Sequence, residues 1–462
     1  MDRGYIANPK VKSVAGLAAG VIAGVAVSVL AGTAVANRLA SSAEEPLIEA
    51  THLPPLLTAP NEQIDLRYDV YCLPDDAGTD APCDAAGTVF VRSGGAGPFR
   101  EVSLQNDPAA DEGRLVARVP REIAVSPTGF SYYAVLRSKE SGATVTLPAG
   151  GATAPQRSIP LGRSVDVRLG AHLFEAAHKA DSRVARAVWG TQAGEVGLEQ
   201  GRNLTPIGGS AFDVDRNGTV YVLDEANHRL LRWPKGAGAP TDLPLSINGT
   251  LADMSVDGEG TIHVLETTNG QGRAPLLRLF DRNGAARGTT EVGERASQVR
   301  IGPAGPIVLQ HPSGQWMAAV IDGRPLTPSD QKRSGRAGRS FPGGSEVVVL
   351  RSGNEIRAAL VDASGVRRAW RVTSETPFAE VQLAEPLGNR LLLVTRVYTD
   401  DRDEFLVLIL DQSGVRRGFS LDSADWAETA PLSRFRLVGS SLFQLGSTPA
   451  GLFVDRFDLE VK

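Results

Sequence analysis

G-S-A-F-D-V-D-R-N-G-T-V-Y-V-L-D-E-A-N-H-R-L-L-R-W, residues Gly209 to Trp233, is the stretch from which the fold follows. Two apolar runs flank Asp215-Arg216-Asn217-Gly218, and Asp, Asn and Gly supply the positive φ of a tight hairpin. The second run, T-V-Y-V-L-D, is apolar nearly throughout, which suits a strand buried on both faces. The N-H-R turn then leads into L-L-R-W, a third strand.

This rhythm recurs down the chain. Inner hairpins fall at Asp257-Gly258-Glu259-Gly260, Gly302-Pro303-Ala304-Gly305, Gly343-Gly344, Leu387-Gly388-Asn389 and Gly439-Ser440. Each is followed by an apolar strand: T-I-H-V-L-E, P-I-V-L-Q, V-V-V-L-R, L-L-L-V-T-R and S-L-F-Q-L. Outer hairpins follow at Phe280-Asp281, Ile321-Asp322, Val361-Asp362 and Leu410-Asp411, with aspartates 41, 40 and 49 residues apart. Six such units predict a six-bladed β-propeller over 184–462, in which radial repetition leaves only short protected edges. The last unit ends near G-L-F-V-D-R-F-D-L without an outer strand, and A-R-A-V-W-G-T, Ala185 to Thr191, is the strand expected to complete it and close the ring.

The first unit resembles an NHL repeat, whose pattern runs from a glycine-bearing linker through a D-x-x-G hairpin to V-x-D, N-x-R and an apolar strand; Trp189 to Trp233 carry that resemblance. The second unit has Thr268-Asn269-Gly270 in place of N-H-R, and the later four keep only the hairpin rhythm. The resemblance implies binding of proteins, RNA or small ligands, or the central-metal chemistry of similar lactonases and lyases, and fold alone selects none of these.

The rest of the chain reads as an all-β protein with one N-terminal hydrophobic helix. Its 42% apolar content, 50 glycines and 29 prolines suit packed strands and many turns. A net charge of −5 gives nucleic acid no electrostatic footing. After a tail over 1–12 carrying Arg3, Lys10 and Lys12, Ser13 to Ala36 holds no ionisable residue for about 24 residues, enough to cross a bilayer. Glu44 and Glu45 follow it, so the bulk of the chain is expected outside the cytoplasm. The segment is either an anchor or a signal cleaved near Ala36, at Ala34-Val35-Ala36. Its Gly16, Gly20 and Gly24 have the spacing of a helix-pairing face, although a glycine- and alanine-rich signal segment accounts for them better.

Residues 37–61 read as a spacer, and 62–161 as a small β-sandwich of short alternating strands. This module resembles an immunoglobulin-like or fibronectin type III domain, most clearly in G-R-L-V-A-R-V-P and G-F-S-Y-Y-A-V-L-R. Its Cys72 and Cys83 are the only cysteines, and in an oxidising compartment they are expected to form a disulfide. Residues 162–183 read as a linker, with Leu173, Phe174, Ala177 and Ala180 marking a short helix that carries His172 and His178.

Asp213, Asp215, Asn217, Gly218 and Asp224 match the D-x-D-x-N-G-x5-[DE] calcium-loop spacing, but a strand follows where a helix is needed, so the hairpin explains the same residues. No metal or other cofactor is expected. The last position of the second strand falls at Asp224, Glu266, Gln310, Arg351, Arg396 and Gln444. In a six-fold ring these lie at one channel mouth, with Asp224 opposite Arg351, Glu266 opposite Arg396 and Gln310 opposite Gln444. Such a mouth presents an acidic half and a basic half to a protein or small-molecule ligand, unless each side chain serves its own blade. The propeller histidines, His228, His263 and His311, share no blade position, and Lys332, Arg333, Arg336 and Arg339 read as a solvated basic loop. The leading expectation is a non-catalytic binding or scaffold protein. The alternative is a metal-dependent propeller hydrolase or lyase.

Overall fold

The computed structural model describes residues 48–72, 81–82, 84–110, 113–174, 177–201, 205–236, 238–247, 250–268, 275–293, 296–310, 314–429 and 433–459. The tail 1–12 and the apolar segment 13–36 lie outside the described residues. Among the described residues no helix is long and apolar enough to cross a membrane.

Two sheets share one core in the N-terminal region. Ile48–Thr51, Asp65–Cys72, Arg114–Arg118 and Gln105–Asn106 lie side by side in one; Leu57–Thr58, Gln156–Pro160, Phe130–Ser138, Ala85–Ser93 and Arg100–Ser103 make the other. Period-two alternation turns Leu66, Tyr68 and Val70 inward against Val89, Val91, Tyr132, Ala134 and Leu136. Each such burial contributes about 1.5–3 kcal/mol before the entropy cost. The spacer expected over 37–61 therefore needs correcting at its C-terminal end. Ile48 and Ala50 alternate with polar residues and pair with Cys72 and Val70, while Leu57 and Thr58 run parallel to Ile159 and Pro160. Cys72 ends its strand opposite Ala81, and its expected partner Cys83 lies outside the described residues.

His52 sits where the two sheets meet. Its ring stacks on Tyr68 at 4.4 Å. Nδ1–H donates to the Arg67 carbonyl at 2.7 Å, which leaves Nε2 to accept from the Tyr132 hydroxyl at 2.7 Å. Burial disfavours the imidazolium and lowers the pKa from 6.5 to about 4.

The C-terminal region has the sheet order of a β-propeller, with sheets following one another along the chain. The first is Ala211–Val214, Val220–Asp224, Arg229–Trp233 and Thr241–Pro244; the second is Thr250–Val256, Ile262–Thr268, Leu276–Phe280 and Ala286–Glu291. Ala296–Gly302, Gly305–Gln310 and Gln315–Ala318 form the third, beside a separate pair, Val320–Ile321 with Arg324–Pro325. The fourth holds Arg339–Ser340, Glu346–Ser352, Glu355–Asp362 and Gly365–Thr373; the fifth, Phe378–Leu387, Arg390–Tyr398, Asp403–Asp411 and Gly414–Asp422. The sixth holds Phe435–Val438, Ser441–Thr448 and Gly451–Asp458. The inner hairpins lie where Asp, Asn and Gly cluster. Asp215 shows why, since its Oδ1 accepts the N–H groups of Asn217 at 2.9 Å and Thr219 at 2.8 Å. Asp257 does the same for Glu259 and Thr261.

The sixth sheet is completed from the other end of the C-terminal region. Ser182–Ala187 pairs antiparallel with Leu452 to Arg456, and the innermost strand Ala211–Val214 contacts both Thr250–Val256 and Phe435–Val438. This strand starts earlier and ends earlier than the expected Ala185 to Thr191. Trp189 has turned out of it to donate its indole N–H to the Thr448 carbonyl at 2.9 Å.

The short helix expected within 162–183 does not form among the described residues. Val165–Arg168 instead lies parallel to Trp370 through Thr373 as a fifth strand of the fourth sheet. The outer edge of that sheet offers unpaired N–H and C=O groups, and the alternating V-D-V-R accepts them. The chain then follows the fifth sheet, where His172 Nε2 meets Glu404 at 3.0 Å and the His178 ring lies 4.7 Å from Phe419. The N-terminal region joins the fourth sheet as well: Leu56, Leu57 and Leu161 pack on Val348, Ala359 and Ala369, and Arg357 clamps both Glu62 oxygens.

Two outcomes follow. A chain starting at Val188 leaves the Gly451–Asp458 edge open and should melt at least 10 °C below one that retains residues 162–187; equal melting temperatures contradict the role of Ser182–Ala187. For His52 the folded pKa lies below the unfolded one, so both states are neutral above pH 6.5. As pH falls from 6.5 towards 4 only the unfolded state takes the proton, and stability is lost in that window. His52→Gln should flatten that portion of the stability profile in urea titrations, and an unchanged slope contradicts the assignment.

Candidate functional site

Each of the six second-strand ends meets its own neighbours. Asp224 is buried and accepts from Gly197 N at 3.0 Å, Asn227 Nδ2 at 2.8 Å and Arg229 Nε at 3.0 Å. Arg229 also reaches Asp242 at 2.7 Å and the carbonyls of Gln192 and Glu195, so the N-x-R element ties the first sheet to the segment before it. Glu266 pairs with Arg278 on the next strand. The Gln310 amide packs on Gly293, where a Cβ would come within 2.8 Å of it. Arg351 donates to the Phe378 carbonyl at 3.0 Å, and Gln444 to the Asp422 carbonyl at 2.7 Å. Arg396 holds Asp403 at 2.7 Å and Asp425 at 3.3 Å.

Asp224, Glu266 and Gln310 thus meet their own sheet or the segment before it, Arg396 meets its own sheet and the connection after it, and Arg351 and Gln444 each reach a strand of the fifth sheet. Arg229 and Arg278 compensate Asp224 and Glu266, and Asp403 and Asp425 compensate Arg396. Beside Asp425, Trp426 lies 5.8 Å from Trp189, and neither ring is fully buried.

A second charged set, which sequence reasoning missed, lies on the innermost strands. Asp213, Asp253, Arg300, Glu385 and Arg436 are buried, and Arg339 nearly so. Asp253 is held by Arg300, by Arg436 Nη2 at 3.0 Å, by Ser433 Oγ at 2.7 Å and by Val299 N at 3.0 Å. Asp213 accepts from Ser255 Oγ at 2.9 Å and Val256 N at 2.8 Å, and Arg436 Nε approaches it at 3.3 Å. Arg339 pairs with Glu385. Three carboxylates meet three guanidiniums, so the set is neutral. Burial pushes Arg436 and Arg339 below the usual guanidinium range, and Arg300 acts on both. The sequence signal is one charged residue within each short inner run, as in A-F-D-V and F-R-L-V, a pattern that reads locally as a solvent-facing position.

This geometry separates the residues of the calcium-like match. Asp213 faces Ser255 and Arg436, Asp215 serves its own hairpin, and Asp224 belongs to Arg229. Among the described residues the carboxylates of the innermost strands already hold guanidiniums, so this donor set does not fit a divalent cation. The basic loop is also divided. Arg333 pairs with Asp330 within the helix Pro328–Arg333, Arg336 approaches Glu346 at 3.7 Å, and Arg339 turns inward. His263 is buried with Asp257 at 3.3 Å in its own hairpin, His228 occupies a turn at φ 51°, and His311 lies outside the described residues.

No protein-family model matches the chain, and no curated protein matches it. Among solved structures it is similar to hydrazine synthase of Kuenenia stuttgartiensis, at 12% identity and TM-score 0.35 over 57% of this chain and 90% of that one. It is similar to virginiamycin B lyase of Staphylococcus aureus with quinupristin, at 12% identity and TM-score 0.33 over 56% and 97%. A third likeness is to YCF48 bound to D1 peptide, at 12% identity and TM-score 0.34 over 63% and 99%. Likenesses of this size assign no activity or ligand to the chain.

Arg436→Met leaves Asp213 and Asp253 short of a buried counter-charge and should cost about 3–5 kcal/mol in urea unfolding. Adding Asp253→Asn should recover some of that loss. A cost below about 1 kcal/mol contradicts a buried, coupled network.

Proposed function

We propose that this chain is a non-catalytic extracytoplasmic binding or scaffold protein. A six-bladed NHL-like propeller presents the recognition face, and an immunoglobulin- or fibronectin-like sandwich positions it. The segment 13–36 anchors it in the membrane, or releases it by cleavage near Ala36, and Cys72–Cys83 staples the sandwich. The observation that carries this reading is the axial set itself. The inner strands converge Arg300, Arg339 and Arg436 on carboxylates, where a metal-dependent enzyme places its ligands. Those charges are spent on joining sheets, which makes a rigid support. The partly exposed groups at the second-strand ends, with Trp189 and Trp426 beside Asp425, are the surface we assign to a partner.

Cross-linking in intact cells followed by recovery of the full chain tests this. Arg351→Ala with Arg396→Ala should lower partner recovery about tenfold, corresponding to about 1.4 kcal/mol, without changing the melting temperature by more than a few degrees. Recovery equal to the unaltered chain contradicts the mouth as the recognition face.

A further inference from the structure

The segments that lead into the first and sixth sheets pair with each other outside the regular strands. Glu199 and Ile207 exchange backbone hydrogen bonds at 2.9 and 3.0 Å, and Ile207 lies parallel to Glu428 on its other side. Directly paired positions project to one face, so Glu199, Ile207 and Glu428 stand abreast. All three are exposed, Ile207 by 46%. Strand spacing sets the two glutamates roughly 10 Å apart across the isoleucine. Among the described residues neither carboxylate has a hydrogen-bond or ion-pair partner.

The tryptophan pair borders this row. Trp189 rests on Gly208, where a Cβ would come within 2.8 Å of Cη2, and its indole N–H is fixed on the Thr448 carbonyl. Trp426 stands two residues before Glu428, whose N–H donates to the Pro206 carbonyl at 2.7 Å. Between them the Ala427 N–H is held by Ser447 Oγ at 2.8 Å. The surface is thus set before a partner arrives, which lowers the ordering cost of binding. The nearby cation Arg396 is engaged by Asp403 and Asp425. Two uncompensated acids about an exposed isoleucine, with indole rings beside them, complement basic side chains: a cation can pair with a carboxylate or lie over an indole face. One small cation does not bridge roughly 10 Å, whereas an extended chain sets alternate side chains about 7 Å apart along one face.

We infer that Glu199, Ile207 and Glu428, with Trp189 and Trp426 beside them, form a docking surface for an extended segment of a partner protein that carries two basic side chains about an apolar one. The inference rests on the reading of the tryptophan pair as part of the recognition surface and gives the partner a chemistry.

The probe is the peptide acetyl-Lys-Ser-Leu-Ser-Lys-amide, titrated into the full chain in detergent and followed by tryptophan fluorescence against sodium chloride at matched ionic strength. Its counterpart with glutamate in place of both lysines is the control. A saturable response to the lysine peptide alone, weakened at least tenfold by Glu199→Gln with Glu428→Gln and unchanged by Glu259→Gln, supports the surface. Equal affinity in the double variant, or no response beyond that to sodium chloride, overturns it. Tetramethylammonium binding as tightly as the peptide assigns a small cation and overturns the protein segment. Self-association in sedimentation velocity that Ile207→Ser abolishes assigns a second copy of this chain and overturns it likewise. Partner recovery that fails with Arg351→Ala and Arg396→Ala yet survives Glu199→Gln with Glu428→Gln removes this docking surface and leaves the wider reading intact.

Discussion

The buried contacts of Arg436 with Asp213 and Asp253 are what the rest of the structure depends on. They join the sixth sheet to the first and second, and Arg300 brings the third to the same carboxylate. Taking so many charges from water costs several kcal/mol per ion, and the cost is offset only when every partner is present. Ser255, Ser433 and the N–H groups of Val256 and Val299 complete the shells of the two aspartates. An apolar axis of equal volume would hold sheets in several relative positions. A paired axis accepts few, so we regard the network as a device for register more than a source of net stability.

A second constraint acts from outside. The segment 162–187 adds a strand to the fourth sheet, crosses the fifth through His172 and His178, and supplies the last strand of the sixth. The same fourth sheet receives Leu56, Leu57 and Leu161 from the N-terminal region. Inner charges and outer strap therefore meet at the sixth sheet, where Arg436 lies on the innermost strand and Ser182–Ala187 on the outermost.

The sequence made the hairpins and second strands legible because both are local: Asp215 bonds residues two and four positions on, and T-V-Y-V-L-D declares its own burial. The strand that completes the sixth sheet was legible too, with its register displaced because Trp189 leaves the strand for Thr448. The axial network was not. Its partners stand far apart in sequence, 183 residues between Asp253 and Arg436, and each charge alone resembles an exposed strand position. The strap was hidden for the same reason, since V-D-V-R becomes a strand only against the edge of Gly365–Thr373. At the second-strand ends the strands were legible and the partners that hold the side chains were not, since Asp224 is met by Gly197 and Arg396 by Asp425, 27 and 29 residues away.

If the axial contacts set the register, the sheets they join must open together. Native-state hydrogen exchange resolved over the innermost strands reads this most directly. The account predicts that amides of Ala211–Val214, Thr250–Val256 and Phe435–Val438 share one opening free energy, close to that of global unfolding. Phe435–Val438 opening on its own, several kcal/mol more easily than the other two, would contradict it.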